Sequence, residues 1–388
     1  MGGAFAGGGL PGALGYAGYL VGRHAIFILA RDVVYAIPDC GSTYAIFLHC
    51  SADGIVFSSN YNLLAVLCGL PRDESIGEAM SSPEYKAPQG KSMSAKWTSV
   101  EGVVPVFANC FASYSLANGT LQHRRFYPFG ELPSLTVDSA YERFRERFLR
   151  GIAAVSKGQD ILLPITAGLD STTTLLALLK TRQYRHLSTF TYLRRAIDSN
   201  FDDAIAGNRI STANGLLHRL LPLDKVDADS EFFRYYRETF CYGAQFPNRA
   251  AAIHEHTPHG HTKLVSTGSE IGRAYHKLRD APLSPETLAR KFTTSSFQHD
   301  PRLVSAFADY IDYVEFQPDR FLNYDFHDLF YWEHRLTKWG ALGFSEYDLS
   351  GFSMTPFKDR KLMEIMLSIP LDDRQCGTLQ NRFILDLG

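Results

Sequence analysis

Residues 161–172 read Ile161-Leu162-Leu163-Pro164-Ile165-Thr166-Ala167-Gly168-Leu169-Asp170-Ser171-Thr172 and run straight into Thr173-Thr174-Leu175-Leu176-Ala177-Leu178-Leu179. An apolar run, a turn of small residues and an apolar run with hydroxyls predict a buried strand, a tight loop and a helix. Such a loop presents backbone N–H groups at a helix N-terminus, a setting suited to an anion. Thr166, Ser171 and Thr172 add hydroxyl donors. Ala167 and Gly168 are small enough for phosphate oxygens to approach the main chain, and Asp170 can hold a divalent cation against them.

Downstream of this stretch, strands and helices alternate. Leu187-Ser188-Thr189-Phe190-Thr191-Tyr192-Leu193 predicts a second buried strand, Arg219–Leu223 a third and Lys263–Gly268 a fourth, with helices over 202–217 and 231–240. The pattern predicts a parallel sheet with helices on both faces, which binds ligands beyond the strand C-terminal ends. The small-residue turns at 166–171 and 266–270 both fall at that edge. From about Pro282 the chain reads as mainly helical. Upstream, Val137, Tyr141, Phe144, Phe148 and Ile152 fall at helical spacing. Ahead of a Pro- and Gly-punctuated linker at 128–133, the reading is β-rich. Strands are expected at Ala25–Ala30, Thr43–Leu48 and Gly54–Phe57, a short helix at 62–69, and a hairpin about Asn118-Gly119.

At 388 residues, 45% hydrophobic and 13% aromatic, the chain can bury two cores. A net charge of −2, from 39 basic and 41 acidic residues, gives no pull toward nucleic acid. No segment is long and apolar enough to span a bilayer. The six cysteines form no Cys-x-x-Cys pair, which suits reduced thiols in a cytoplasmic protein. Met1–Gly22 is uncharged and holds nine glycines, so residues 1–24 are expected to be flexible, or the remnant of a longer N-terminal domain.

With these residues in view, the chain resembles the glutamine-dependent asparagine synthetases. Thr166 to Thr172 resembles the Ser-Gly-Gly-x-Asp-Ser pyrophosphate loop of the N-type ATP pyrophosphatases. Ser266-Thr267-Gly268-Ser269-Glu270 is similar to the family's second loop, which carries an acidic magnesium ligand. Thr355-Pro356-Phe357-Lys358-Asp359 is similar to its Pro-Phe-Leu-Asp helix. Phe57-Ser58-Ser59-Asn60, Thr98–Val106 and Arg125-Phe126-Tyr127-Pro128 resemble the later half of its amidotransferase domain. Relatives include β-lactam synthetases and lasso-peptide cyclases. The implied fold is α/β: a parallel-sheet ATP pyrophosphatase-like domain with a helical C-terminal part over 136–388. A β-rich, partial Ntn-amidotransferase-like domain over 25–131 precedes it.

The resemblance implies an AMP-forming carbon–nitrogen ligase that uses ATP and Mg²⁺ to activate a carboxylate as an acyl-adenylate. Ile165, Thr166, Ala167, Gly168, Leu169, Asp170, Ser171, Thr172, Tyr192, Ser266, Thr267 and Gly268 would bind ATP, with Ile165 and Tyr192 beside adenine. Asp170 and Glu270 would hold magnesium. Arg382 stands where the family has a catalytic lysine, and with Glu270 it forms the expected catalytic set. Gly2 replaces the family's nucleophilic cysteine and no cysteine precedes Cys40, so no glutaminase activity is expected. The amine is then a substrate amine, or ammonia from solution or another protein. The partners expected are small-molecule or peptide carboxylates and an amine donor, with no nucleic acid and no membrane, and a homodimer is compatible. The alternative is a catalytically silent relative, suggested by Thr166, Glu270 and Arg382.

Four further clusters carry weaker signals. His254, His256, His259 and His261 read as a helix end rather than a metal site. Gly90-Lys91-Ser92 lacks the first glycine of a phosphate loop, since Tyr85 stands there. Arg194-Arg195 reads as a solvated loop rather than as a contact to phosphate or an acidic substrate. Asp325, His327, Asp328, Glu333, His334, Arg335 and Lys338 form either a substrate wall or the solvated face of an amphipathic helix.

Overall fold

The computed structural model describes residues 2–86, 92–193, 201–240 and 246–388. Gly90, Lys91, Arg194 and Arg195 lie outside them. The chain groups into two compact units. One comprises Met1–Leu132, Tyr235–Gln245 and His276–Gly343; the other comprises Pro133–Arg234, Phe246–Tyr275 and Phe344–Gly388. This differs from the contiguous 25–131 and 136–388 division read from sequence. The helical segment 276–343 joins the front of the chain because its aromatic faces pack there: Tyr310 lies edge-on to Phe107 at 5.0 Å and Trp332 tilts against Tyr127 at 5.3 Å.

In the first unit, strands β1 (Ala25–Ala30), β2 (Val33–Pro38), β3 (Phe47–Ser51), β4 (Gly54–Ser58), β5 (Val103–Pro105), β6 (Cys110–Ser115) and β7 (Leu121–Arg125) form two antiparallel sheets. Their orders are β1-β2-β6-β7 and β4-β3-β5. Ala36, Ile46, Leu48, Val106 and Ala112 make a core that both sheets share. The hairpin about Asn118-Gly119 forms as expected, with Tyr114 opposite Leu121. The strand expected at Thr43–Leu48 starts later, at Phe47. The buried Asp39 carboxylate accepts the N–H groups of Gly41, Thr43 and Tyr44 and folds that stretch into a turn. The segment expected to be flexible is helical over Gly2–Gly18, with a break at Gly9. Its Leu14 and Ala17 pack on Ile37 and Phe111, so apolar burial rather than helix propensity holds it.

The second unit holds a five-stranded parallel sheet of β8 (Asp160–Pro164), β9 (His186–Leu193), β10 (Leu217–Pro222), β11 (Thr262–Leu264) and β12 (Ser353–Met354), in the order β10-β9-β8-β11-β12. The predicted fourth strand is cut to three residues, and β12 is a fifth, two-residue strand. Helix Val137–Ser156 buries Tyr141, Phe144, Phe148 and Ile152 along one stripe. Helices Leu169–Thr181 and Thr378–Leu387 pack beside it. A core of Leu162, Phe190, Leu221, Ala252, Ile253, Val265, Phe344 and Tyr347 joins the sheet to helices Pro247–His256 and Ala341–Asp348. Strand order reverses direction between β8 and β11. The chain ends of those two strands are therefore the switch point where an open α/β sheet forms its crevice. Among the described residues, no helix is long and apolar enough to cross a membrane.

Candidate functional site

The loop after β8 is built by its own hydroxyls. Ser171 Oγ accepts the Thr166 N–H at 3.2 Å, and Thr166 Oγ1 accepts the Gly168 N–H at 3.1 Å. Gly168 caps helix Leu169–Thr181 without a side-chain hydrogen bond, as an open anion site requires. A Cβ on Gly168 would stand 3.1 Å from Thr166 Oγ1, so the glycine lets the hydroxyl fold over it. Ala167 donates its N–H to Asp203 Oδ1 at 3.0 Å. Asp203 belongs to helix Phe201–Ala213, which lies close on the sheet because Gly207 has no side chain. A Cβ there would meet Thr191 Oγ1 at 2.4 Å.

The loop after β11 stands beside it, tied by Thr174 Oγ1 to Ser266 Oγ at 2.9 Å. The Thr267 carbonyl accepts the Thr355 hydroxyl at 2.8 Å. Gly268 sits at φ 103°, a left-handed conformation that favours glycine, and its N–H donates to Glu270 Oε2 at 2.9 Å. Residues Ser269–Arg273 form a 3₁₀ turn in which positions three apart share a face, so Glu270 and Arg273 project together. Arg273 reaches Asp170 Oδ2 at 2.5 Å. Asp170 Oδ1 is buried and makes no hydrogen bond of good geometry. Burial raises the Asp170 pKa, and the nearby Glu270 charge raises it further; the Ser269 hydroxyl and Arg273 oppose this.

This donor set fits magnesium. Two carboxylates converge, one with a buried, unsatisfied oxygen, and a hard cation takes its remaining ligands from phosphate and water. Among the described residues, no group of three or more His, Cys, Asp or Glu side chains is placed to hold a metal. In the histidine cluster, His259 Nε2 instead meets the His254 carbonyl at 2.8 Å.

The remaining expected site residues fall elsewhere. Ile165 is fully buried, with its N–H on the Phe190 carbonyl and its own carbonyl accepting Thr191 Oγ1. Tyr192 packs its ring on Phe190 at 5.3 Å and donates its hydroxyl to Tyr347. The Ile165 side chain serves the core, and the Tyr192 ring is partly buried against it. Arg382 does not join the loops. It pairs with Asp138 and lies over the Tyr141 ring at 4.3 Å, on the surface of helix Val137–Ser156. The reason is register: Gly377, at the start of the last helix, is the residue near Leu169 and Arg273, and Arg382 lies more than a turn farther on. The guanidinium on the acidic pair is that of Arg273. Replacing Arg382 with alanine is accordingly expected to leave nucleotide affinity unchanged in calorimetry, because an exposed pair is screened by solvent.

Sequence reasoning missed Arg273 and Asp203, yet both carried signals. Arg273 follows Glu270 by three residues after a glycine turn, and Asp203 opens the helix that follows β9, at the ligand edge of the sheet.

The polar residues of 325–338 are neither an open wall nor a solvated face. His327, Asp328, Glu333, His334 and Lys338 are buried. Arg279 donates to both carboxylate oxygens of Asp328, and Ala95 donates its N–H to His334 Nε2. Lys338 donates to the Trp97 carbonyl, and burial lowers its pKa from 10.5 to about 7. The unfolded chain protonates this amine below about 10.5 and the folded chain only below about 7. Stability should therefore fall as pH drops from 10 toward 7, and Lys338→Met should flatten that slope in urea titrations at stepped pH.

No family model matches the chain, and no curated protein matches it. Among solved structures, the U34-tRNA thiolase NcsA from Methanococcus maripaludis, with its 4Fe-4S cluster, is similar over 47% of this chain and 70% of its own, at 11% identity and a TM-score of 0.24.

Proposed function

We propose that the chain is an ATP- and magnesium-dependent, amide-bond-forming ligase of the asparagine synthetase-like kind. A substrate carboxylate attacks the α-phosphorus of ATP, pyrophosphate leaves, and an amine then displaces AMP from the acyl-adenylate. The observation that carries this reading is the meeting of two loops at the sheet's switch point. One offers amide and hydroxyl donors for pyrophosphate, and the other brings Glu270 to Asp170. Thr166, Ser171 and Thr172 would orient the leaving group, and Asp170 and Glu270 would hold Mg²⁺. When bound, the ion offsets charge that builds on the leaving pyrophosphate. Ser266, Thr267 and Gly268 would shape the wall facing the loop. The two antiparallel sheets of the first unit, which share one core, support the amidotransferase-like reading of 25–131.

Carboxylate-dependent exchange of labelled pyrophosphate into ATP, run across a panel of amino acids and peptides, tests the proposal. Exchange that appears with one carboxylate and needs Mg²⁺ supports it, and no exchange with ATP still bound favours the second reading. That reading is a nucleotide-binding protein without turnover. It is favoured by the surface placement of Arg382, where the guanidinium pairs with Asp138 instead of reaching the two loops.

A further inference from the structure

We propose that Arg273 is a phosphate-binding residue parked on Asp170, and that metal and nucleotide enter this site together by exchanging its partner; the inference rests on the nucleotide reading above. Asp170 has two oxygens. Oδ2 is occupied by the Arg273 guanidinium at 2.5 Å, and Oδ1 is buried and unsatisfied. A divalent ion approaching this carboxylate alone meets a fixed positive charge within a few ångströms, and that repulsion is strong where water is scarce. The opposite charge is balanced in the same way. The Ala167 N–H, where an anion would sit, already donates to the Asp203 carboxylate. The resting site thus holds its own cation on its acid and its own anion on its amide.

Magnesium alone would displace Arg273 from Asp170 with no anion to receive it, and phosphate alone would draw Arg273 away with no cation to take its place on Asp170. A magnesium–nucleotide complex supplies both charges at once. The planar guanidinium matches phosphate oxygens as a fork, and its short 3₁₀ turn holds it on the same face as Glu270. Arg273 then binds the phosphates while Asp170 turns its freed oxygen to the ion. No covalent step is involved.

The test uses the whole protein and two probes: Mn²⁺ alone, followed by its paramagnetic resonance signal, and the magnesium complex of a non-hydrolysable ATP analogue, followed by calorimetry. The parent should bind the complex but bind Mn²⁺ alone weakly. Arg273→Met should bind Mn²⁺ alone at least about tenfold more tightly and lose at least about tenfold in affinity for the complex. Arg273→Lys keeps the charge without the fork and should fall between the two. Circular dichroism melting checks that each variant is folded. If Arg273→Met is folded and binds both probes as the parent does, the partner exchange is wrong while the nucleotide reading stands. If the parent binds no nucleotide at all, that reading fails and this inference falls with it.

Discussion

Asp170→Ala is expected to abolish magnesium-dependent binding of ATP while the protein stays folded. The side chain stands at the first turn of helix Leu169–Thr181 and faces Glu270 and Arg273 rather than the core of the sheet. Its removal takes away one of the two carboxylates proposed to hold the metal, together with the acid that Arg273 contacts. A metal's stabilisation of phosphate charge amounts to several kcal/mol, so affinity for the complex should drop by about 100-fold or more. The fold gains little from this acid, because its buried oxygen is unsatisfied and its pKa is raised: folding favours the neutral form. Calorimetry with and without Mg²⁺ decides the matter. Unchanged magnesium-dependent affinity in a folded variant would sink the assignment of the loop.

The largest effect on stability is expected at Glu333. In the first unit, Arg125 forms a two-pronged pair with it, both bonds at 2.6 Å, and the two side chains are 3% and 0% exposed. Asn109 donates to the same carboxylate at 2.9 Å. Arg125 also donates to the carbonyls of Tyr127, Val314 and Glu315. Glu333→Ala leaves a buried guanidinium with no counter-charge, and breaking such a pair costs about 3–5 kcal/mol. The midpoint of urea unfolding should fall accordingly. Replacing both partners together, as Arg125→Met with Glu333→Leu, removes the stranded charge and should recover much of the loss. A single Glu333→Ala variant as stable as the parent would mean that the pair contributes nothing.

The two halves of the chain differ in how much the sequence disclosed. The parallel sheet was legible because β8 and β9 are long apolar runs bounded by turns, and both loops at its binding edge could be placed from glycine and hydroxyl spacing. β12 was not legible, since two residues carry no periodicity. β2 was passed over although Val33, Val34 and Ile37 are β-branched. The turn at 39–44 hid because one buried aspartate, not glycine or proline, organises it. The character of 325–338 depends on partners distant in sequence, as in the 208-residue separation of Arg125 and Glu333. No local pattern distinguishes such a buried ionic network from a charged helix face. The Arg382 assignment failed for a related reason. Matching an apolar run fixes which residues are helical, but an error of one turn in register moves a side chain from a site to a surface.

The resting charge of the loop is governed from one turn farther along a helix. Residues 203 and 207 are one turn apart on the same face, so the seating of Gly207 against Thr191 fixes how far Asp203 extends. A single added methyl at 207 would lift the helix and withdraw the carboxylate from Ala167, opening the amide without any change in the loop itself. Descendants of this chain could thus alter how readily the loop accepts an anion by a substitution that touches no ligand. In an alignment, that position would read as sheet packing.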